Sequence, residues 1–72
     1  MEFIEITEIE EYDSYKGEDQ ITETKVTINP LWISRVIRMN DGKARIWMGG
    51  DEPDIDCKET YEEVIEKIRT WR

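Results

Sequence analysis

The chain contains no histidine and only one cysteine, Cys57, among its 72 residues. Without histidine, neither a histidine-based catalytic triad nor an imidazole metal site can be assembled within it. A single cysteine cannot close an internal disulfide, and a lone thiol suits a reducing compartment. Long hydrophobic runs are also missing: nothing approaches the roughly 18–20 apolar residues that span a bilayer. The opening stretch Met1-Glu2-Phe3-Ile4-Glu5 lacks the basic start of a secretory signal. Bases are scarce, with 10 Lys and Arg against 18 Asp and Glu and a net charge of −8. A chain so acidic repels phosphate, which argues against direct nucleic-acid binding. These absences together point to a cytoplasmic protein without membrane insertion.

What the chain does have is aromatic and periodic. Three Trp, three Tyr and one Phe are a large supply for this length. The apolar residues recur at regular spacings between turn signals, which favours a folded chain over the disorder that high charge can bring. The length allows one domain, residues 1–72. So small a domain buries only ~60 % of its unfolded surface. With no staples, assembly with itself or with a partner would help it.

In the first run, Ile4 and Ile6 alternate with Glu5 and Thr7. The alternation and the Ile/Thr content favour a strand, with a helix as the alternative. Ile9 breaks the parity, which suggests a bulge or a strand end. A polar loop follows over Asp13 to Asp19. In Gln20–Asn29, Thr22, Thr24, Val26 and Ile28 fall on one face of a half-buried strand, with Glu23, Lys25 and Thr27 on the other. Asn29-Pro30 ends it, because proline has no N–H for a ladder. Leu31 and Trp32 are then expected in a short turn tucked under the sheet.

Ile33–Met39 and Ala44–Met48 read as a hairpin about Asp41-Gly42. A two-residue loop, or a four-residue loop with the same pairing, sets Arg38 opposite Arg45 and Ile37 opposite Ile46. That register gathers Ile33, Ile37, Met39, Ala44, Ile46 and Met48 on a core face. Val36, Arg38, Lys43, Arg45 and Trp47 take the outer one. A three-residue loop bulged at Gly42 would mix the faces, so the apolar pattern disfavours it. Gly49–Pro53 reads as a turn and Asp54–Lys58 as a fifth strand. The final segment is helical. Thr60 and Glu63 match a capping box. Tyr61, Val64, Ile65 and Ile68 form a stripe that Trp71 continues. Glu62 and Glu63 near the start, with Lys67, Arg69 and Arg72 toward the end, suit the helix dipole. A lone amphipathic helix must bury its stripe on the sheet before it. The expected fold class is therefore α+β: a small curled antiparallel sheet of four or five strands with one C-terminal amphipathic helix, β-β-β-β-β-α.

From Val26 onward the chain resembles the FlbD/SwrD-type flagellar motility proteins. The residues that carry the likeness are Val26-Thr27-Ile28-Asn29-Pro30, Ile33 with Val36, the turn Asp41-Gly42, the strand around Ile55, and Lys58-Glu59-Thr60-Tyr61-Glu62-Glu63-Val64-Ile65-Glu66-Lys67-Ile68. Similar short proteins are widespread in phages and mobile elements. The resemblance covers about two-thirds of the chain. It implies a small cytoplasmic β-rich protein with a C-terminal helix and no known catalysis and, as in the flagellar members, support of swarming and motor output. The chain departs from that pattern in a longer, more acidic stretch around Glu8 to Asp19, and in Trp47 and the Gly49-Gly50 insertion.

No motif points to catalysis or to a cofactor. Paired carboxylates such as Glu10-Glu11 and Asp54 with Asp56 read as solvated surface. Asp51, Glu52, Asp54 and Asp56 match no EF-hand, and Pro53 interrupts them, so no metal site is assigned. Cys57 alternates inward with Ile55 as a structural thiol and has no base to activate it. Gly49-Gly50 is a turn, since no Lys-Ser/Thr follows to make a phosphate loop.

Charge is distributed unevenly: residues 1–24 carry net −8, residues 25–49 net +4 and residues 50–72 net −4. Arg38 and Arg45 set opposite each other call for an anion. It is supplied internally by Asp54, Asp56 or a first-strand Glu, or externally by an acidic partner or phosphate, with Trp47 as a platform. The expectation is a non-enzymatic module that binds one protein partner through Arg38, Lys43, Arg45 and Trp47. One alternative is a phage or mobile-element inhibitor that imitates nucleic acid with an acidic face of Glu8, Glu10, Glu11, Asp13, Glu18 and Asp19. The other is a small-ligand (nucleotide) sequestering protein using Arg38, Arg45 and Trp47.

Overall fold

The computed structural model describes residues 3–13 and 19–71. The expected loop over Asp13–Asp19 lies almost wholly outside the described residues, as does Arg72. Five strands form one antiparallel sheet: β1 (Ile4–Asp13), β2 (Asp19–Ile28), β3 (Arg35–Arg38), β4 (Lys43–Trp47) and β5 (Ile55–Thr60), in the order β2-β1-β5-β4-β3. The helix α1 (Tyr61–Arg69) covers one face. The fold is α+β with the expected element order, and its extents are 45 × 25 × 20 Å.

β1 and β2 pair without interruption from Ile4 opposite Ile28 to Asp13 opposite Asp19. The bulge or strand end expected at Ile9 is absent. Ile9 continues the ladder opposite Glu23 and simply points to the face away from the helix. Of the predicted inner face of β2, Ile28 is buried and Val26 half-buried, whereas Thr22 and Thr24 are exposed. The hairpin runs out past the ground that α1 covers. β1 joins β5 through one paired position, Glu8 opposite Cys57. Beyond it the Glu59 side chain takes over, accepting the Thr7 N–H.

The central hairpin differs from its expected register. Arg35 lies opposite Trp47, Val36 opposite Ile46, Ile37 opposite Arg45 and Arg38 opposite Ala44. The loop is the three-residue form, Asn40-Asp41-Gly42. Met39 N–H donates to the Lys43 carbonyl at 2.8 Å, and Gly42 N–H to the Met39 carbonyl at 2.9 Å. Gly42 sits at φ +87°, a left-handed conformation natural to glycine at the end of such a loop. Asp41 accepts the Lys43 N–H and tightens the turn. The faces therefore sort as Val36, Arg38, Ala44 and Ile46 toward α1, and Arg35, Ile37, Arg45 and Trp47 away from it. Ile37 and Met39 leave the core that the two-residue loop would have given them, and Val36 joins it.

The core consists of Ile4, Ile6, Ile28, Ala44, Ile46, Cys57 and Val64. Val26, Ile33, Val36, Met48, Ile55, Ile68 and Trp71 pack around it. α1 forms as its sequence dictates. Thr60 accepts the Glu63 N–H at 3.1 Å and Glu63 returns a bond to the Thr60 N–H at 3.2 Å, closing the capping box. Glu62 and Glu63 lie in the first turn, Lys67 and Arg69 in the last. Trp71 lies beyond the helix and still reaches the core, with its Nε1 buried. Lys43 pairs with Thr60 and Arg45 with Asp56, so β5 bulges opposite Ala44.

Candidate interaction surfaces

The predicted basic face is divided by the sheet. Arg38 projects toward the helix, where it pairs with Glu62 and stacks over the Tyr61 ring, 5.1 Å from its centroid. Arg45 projects the other way and bonds Asp56 at 2.7 Å. The Asp56 hydrogen bond and its charge hold the Arg45 guanidinium even more firmly in its charged form. The two arginines never confront each other, because the one-residue change of register places them on opposite faces. Each finds its anion within the chain, Arg45 from the predicted Asp56 and Arg38 from the helix. Trp47 is half-buried, its ring covered by Arg35 at 4.3 Å from centroid to guanidinium.

The rest of the sheet face away from α1 also neutralises itself. Glu23 bonds Lys58 at 3.1 Å, Lys25 lies 3.8 Å from Glu5, and Lys25 donates to the Thr7 hydroxyl at 3.2 Å. Such exposed pairs contribute little stability individually. They do leave this face without a net field of one sign. A cleft of about 250 Å³ opens here and brings Lys43 and Arg45 together with Glu11, Asp41 and Asp56. A phosphate would meet three carboxylates there beside two cations.

The predicted acidic face is divided as well. Glu8 and Glu10 alternate with Glu11 along β1, so their side chains leave on opposite faces. Glu18 and the side chains of Asp13 and Asp19 lie outside the described residues. No group of three or more potential metal ligands occurs among the described residues.

Cys57 is buried, 1 % exposed. Loss of solvent, then the charges of Glu59, Asp56 and Glu8, push its thiol up to about 12. At neutral pH it is a protonated, inert group.

One exposed apolar surface departs from the expectation. Leu31 and Trp32, expected beneath the sheet, are 74 % and 68 % exposed. They lie in a one-turn 3-10 helix, Pro30–Trp32, whose start is fixed by Asn29 accepting the Leu31 N–H at 3.0 Å. So short a turn anchored at Asn29 cannot swing both large side chains inward. The signal was the Asn29-Pro30 pair itself, an N-cap followed by a proline that favours a helical start. Trp32, Phe3 and Met48 line an open groove of about 470 Å³ with Thr27, Ile28, Asn29 and Glu52. Phe3 is itself 51 % exposed.

Among the described residues no helix is long and apolar enough to cross a membrane. Set against known proteins, the chain matches no family model, no curated protein and no solved structure.

Proposed function

We propose that this is a non-enzymatic module that docks one protein partner in the groove between Phe3 and Trp32, in the manner of a small cytoplasmic accessory protein. The observation that carries the reading is the outward display of Leu31 and Trp32 on a capped turn. Large apolar side chains held rigidly in water lose little further freedom on binding and bury much area, the usual profile of an interface anchor. The role is similar to that of the flagellar motility accessories that the sequence from Val26 onward resembles. The fully buried thiol and the lack of histidine support a role without catalysis. The basic residues first singled out serve the reading less well, since Arg38 and Arg45 are already partnered.

The test is affinity capture from the native host with wild type, with Leu31→Ser/Trp32→Ser, and with Arg38→Glu/Arg45→Glu. A partner retained by wild type should be lost from the first variant while its circular dichroism stays unchanged. Equal recovery by that variant, or loss only on reversing the arginines, would overturn the groove as the docking site.

A further inference from the structure

We infer that the outer edge of β2 binds β2 of a second copy, antiparallel about Thr24, to form a continuous ten-stranded sheet. This goes beyond the docking groove and stands without it. Of the two outermost strands, β3 has four residues and carries an arginine at each end, a short and charged edge of the kind that resists pairing. β2 has ten residues, contains no proline or glycine, and keeps an unbroken register with β1. From residue 21 to residue 28 its outer edge offers a long row of backbone donors and acceptors.

Its charges select the occupant. Glu23 and Lys25 flank Thr24 and project on one face. With Thr24 opposite Thr24 of the second copy, Glu23 meets Lys25 of that copy, and the two-fold axis repeats the pair. A slip by two residues one way sets Glu23 against Glu23, and the other way sets Lys25 against Lys25, both repulsive. Slips by one residue would set the two helices on opposite faces of the joined sheet and would place Glu23 and Lys25 opposite uncharged residues, losing the ion pairs. One register therefore satisfies the strand, and it is a self-complementary one. Both side chains hold a partner within the chain, Glu23 with Lys58 and Lys25 with Glu5, yet they remain 48 % and 70 % exposed, so the contact across the axis would join these pairs into one row of alternating charge.

Two further features agree. The acidic ends of the β1–β2 hairpins point apart: Asp19 faces Asn29 of the second copy, and the two Asp19 residues lie roughly 33 Å from each other along the strands. That exceeds the screening length at physiological salt, about 8 Å, so these two residues do not repel each other across the contact. Ile21, 65 % exposed, comes to rest opposite Thr27 of the second copy, at the rim of the groove that Phe3 and Trp32 line.

The experiment is sedimentation equilibrium on the full chain with a charge exchange. Wild type should dimerise with rising concentration. Glu23→Lys and Lys25→Glu should each weaken that dimer about tenfold or more, because both cross-strand pairs become like-charged. An equimolar mixture of the two variants should recover association as a heterodimer, since every apposed pair is again opposite in sign. Should either variant fold poorly, Thr24→Cys supplies the second measurement. Oxidised glutathione should link it covalently to its twin, and Thr22→Cys should stay unlinked, because only Thr24 meets itself within disulfide reach. Wild type remaining monomeric at millimolar concentration overturns the inference. So does a mixture of folded variants that stays monomeric, or equal cross-linking at Thr22 and Thr24.

Discussion

The Glu59 carboxylate accepts the Thr7 backbone N–H on both oxygens, at 2.9 and 3.1 Å. Thr7 is 5 % exposed and lies just past the only position at which β1 and β5 pair. The carboxylate thus finishes a ladder that the strands themselves leave incomplete, and it satisfies a donor that water reaches poorly.

Replacing Glu59 with alanine should lower stability by about 1–3 kcal/mol, the cost of leaving a buried donor unpaired. Glutamine should cost less, since its carbonyl still accepts one bond. Partial burial raises the Glu59 pKa, but the bonds from Thr7 and from its own N–H, together with the charge of Lys67, outweigh it and the net shift is downward. A carboxylate depressed in the folded state contributes stability above its unfolded value, near 4.5, and loses it as pH falls through the folded one. Urea unfolding should therefore separate wild type from Glu59→Gln at neutral pH and bring them together in acid. A gap that is the same at both pH values would count against the account.

Cys57 carries the opposite sign. Its thiol is raised from 9.0 to about 12 by burial and neighbouring carboxylates. The unfolded chain gives up this proton first, so stability should hold below about pH 9 and fall between there and pH 12. Cys57→Ala should flatten that alkaline limb, at some cost in packing. A thiol reagent should label native protein only as fast as the chain opens, and labelling at the rate of a free peptide thiol would show the site to be open.

Two turn glycines should respond differently to alanine. Gly42 at φ +87° has nothing within 4 Å of an added Cβ, so Gly42→Ala should cost only the left-handed backbone term of about 1 kcal/mol. Gly49 at φ +89° would place its Cβ 2.6 Å from Ser34 Oγ. Gly49→Ala should cost more, and Ser34→Gly should recover part of the difference. Thermal melts of the four proteins decide it. Equal losses for the two glycine variants would remove the steric argument.

The terminal helix and its cap were legible because one residue pattern supports one answer. Thr60 with Glu63, and Val64 with Ile68, leave little freedom in a helix. The central hairpin was less legible because Val36 and Ile37 are adjacent and equally apolar, so either could face inward. Burial pattern alone preferred Ile37. What tips the balance is local to the loop: glycine at a left-handed position favours the three-residue form, and internal acids at 56 and 62 accommodate arginines on both faces. The exposed apolar turn was harder still. Hydrophobicity predicts burial on average, and nothing in the residue types of Leu31 and Trp32 marks them as exceptions. The constraint sits in the capped turn that holds them. The two-sided split of Glu8, Glu10 and Glu11 follows directly from strand alternation once β1 runs straight through Ile9.

The three indoles occupy three different environments: Trp32 in open water, Trp47 beneath a guanidinium, and Trp71 against the core with its Nε1 buried. The chain is thereby self-labelled. Emission from Trp32 would register any change at the groove, Trp47 the state of the β3–β4 ribbon, and Trp71 the seating of the helix. Three single-tryptophan versions would let one fluorimeter follow binding, ribbon and helix as separate signals, with no dye attached.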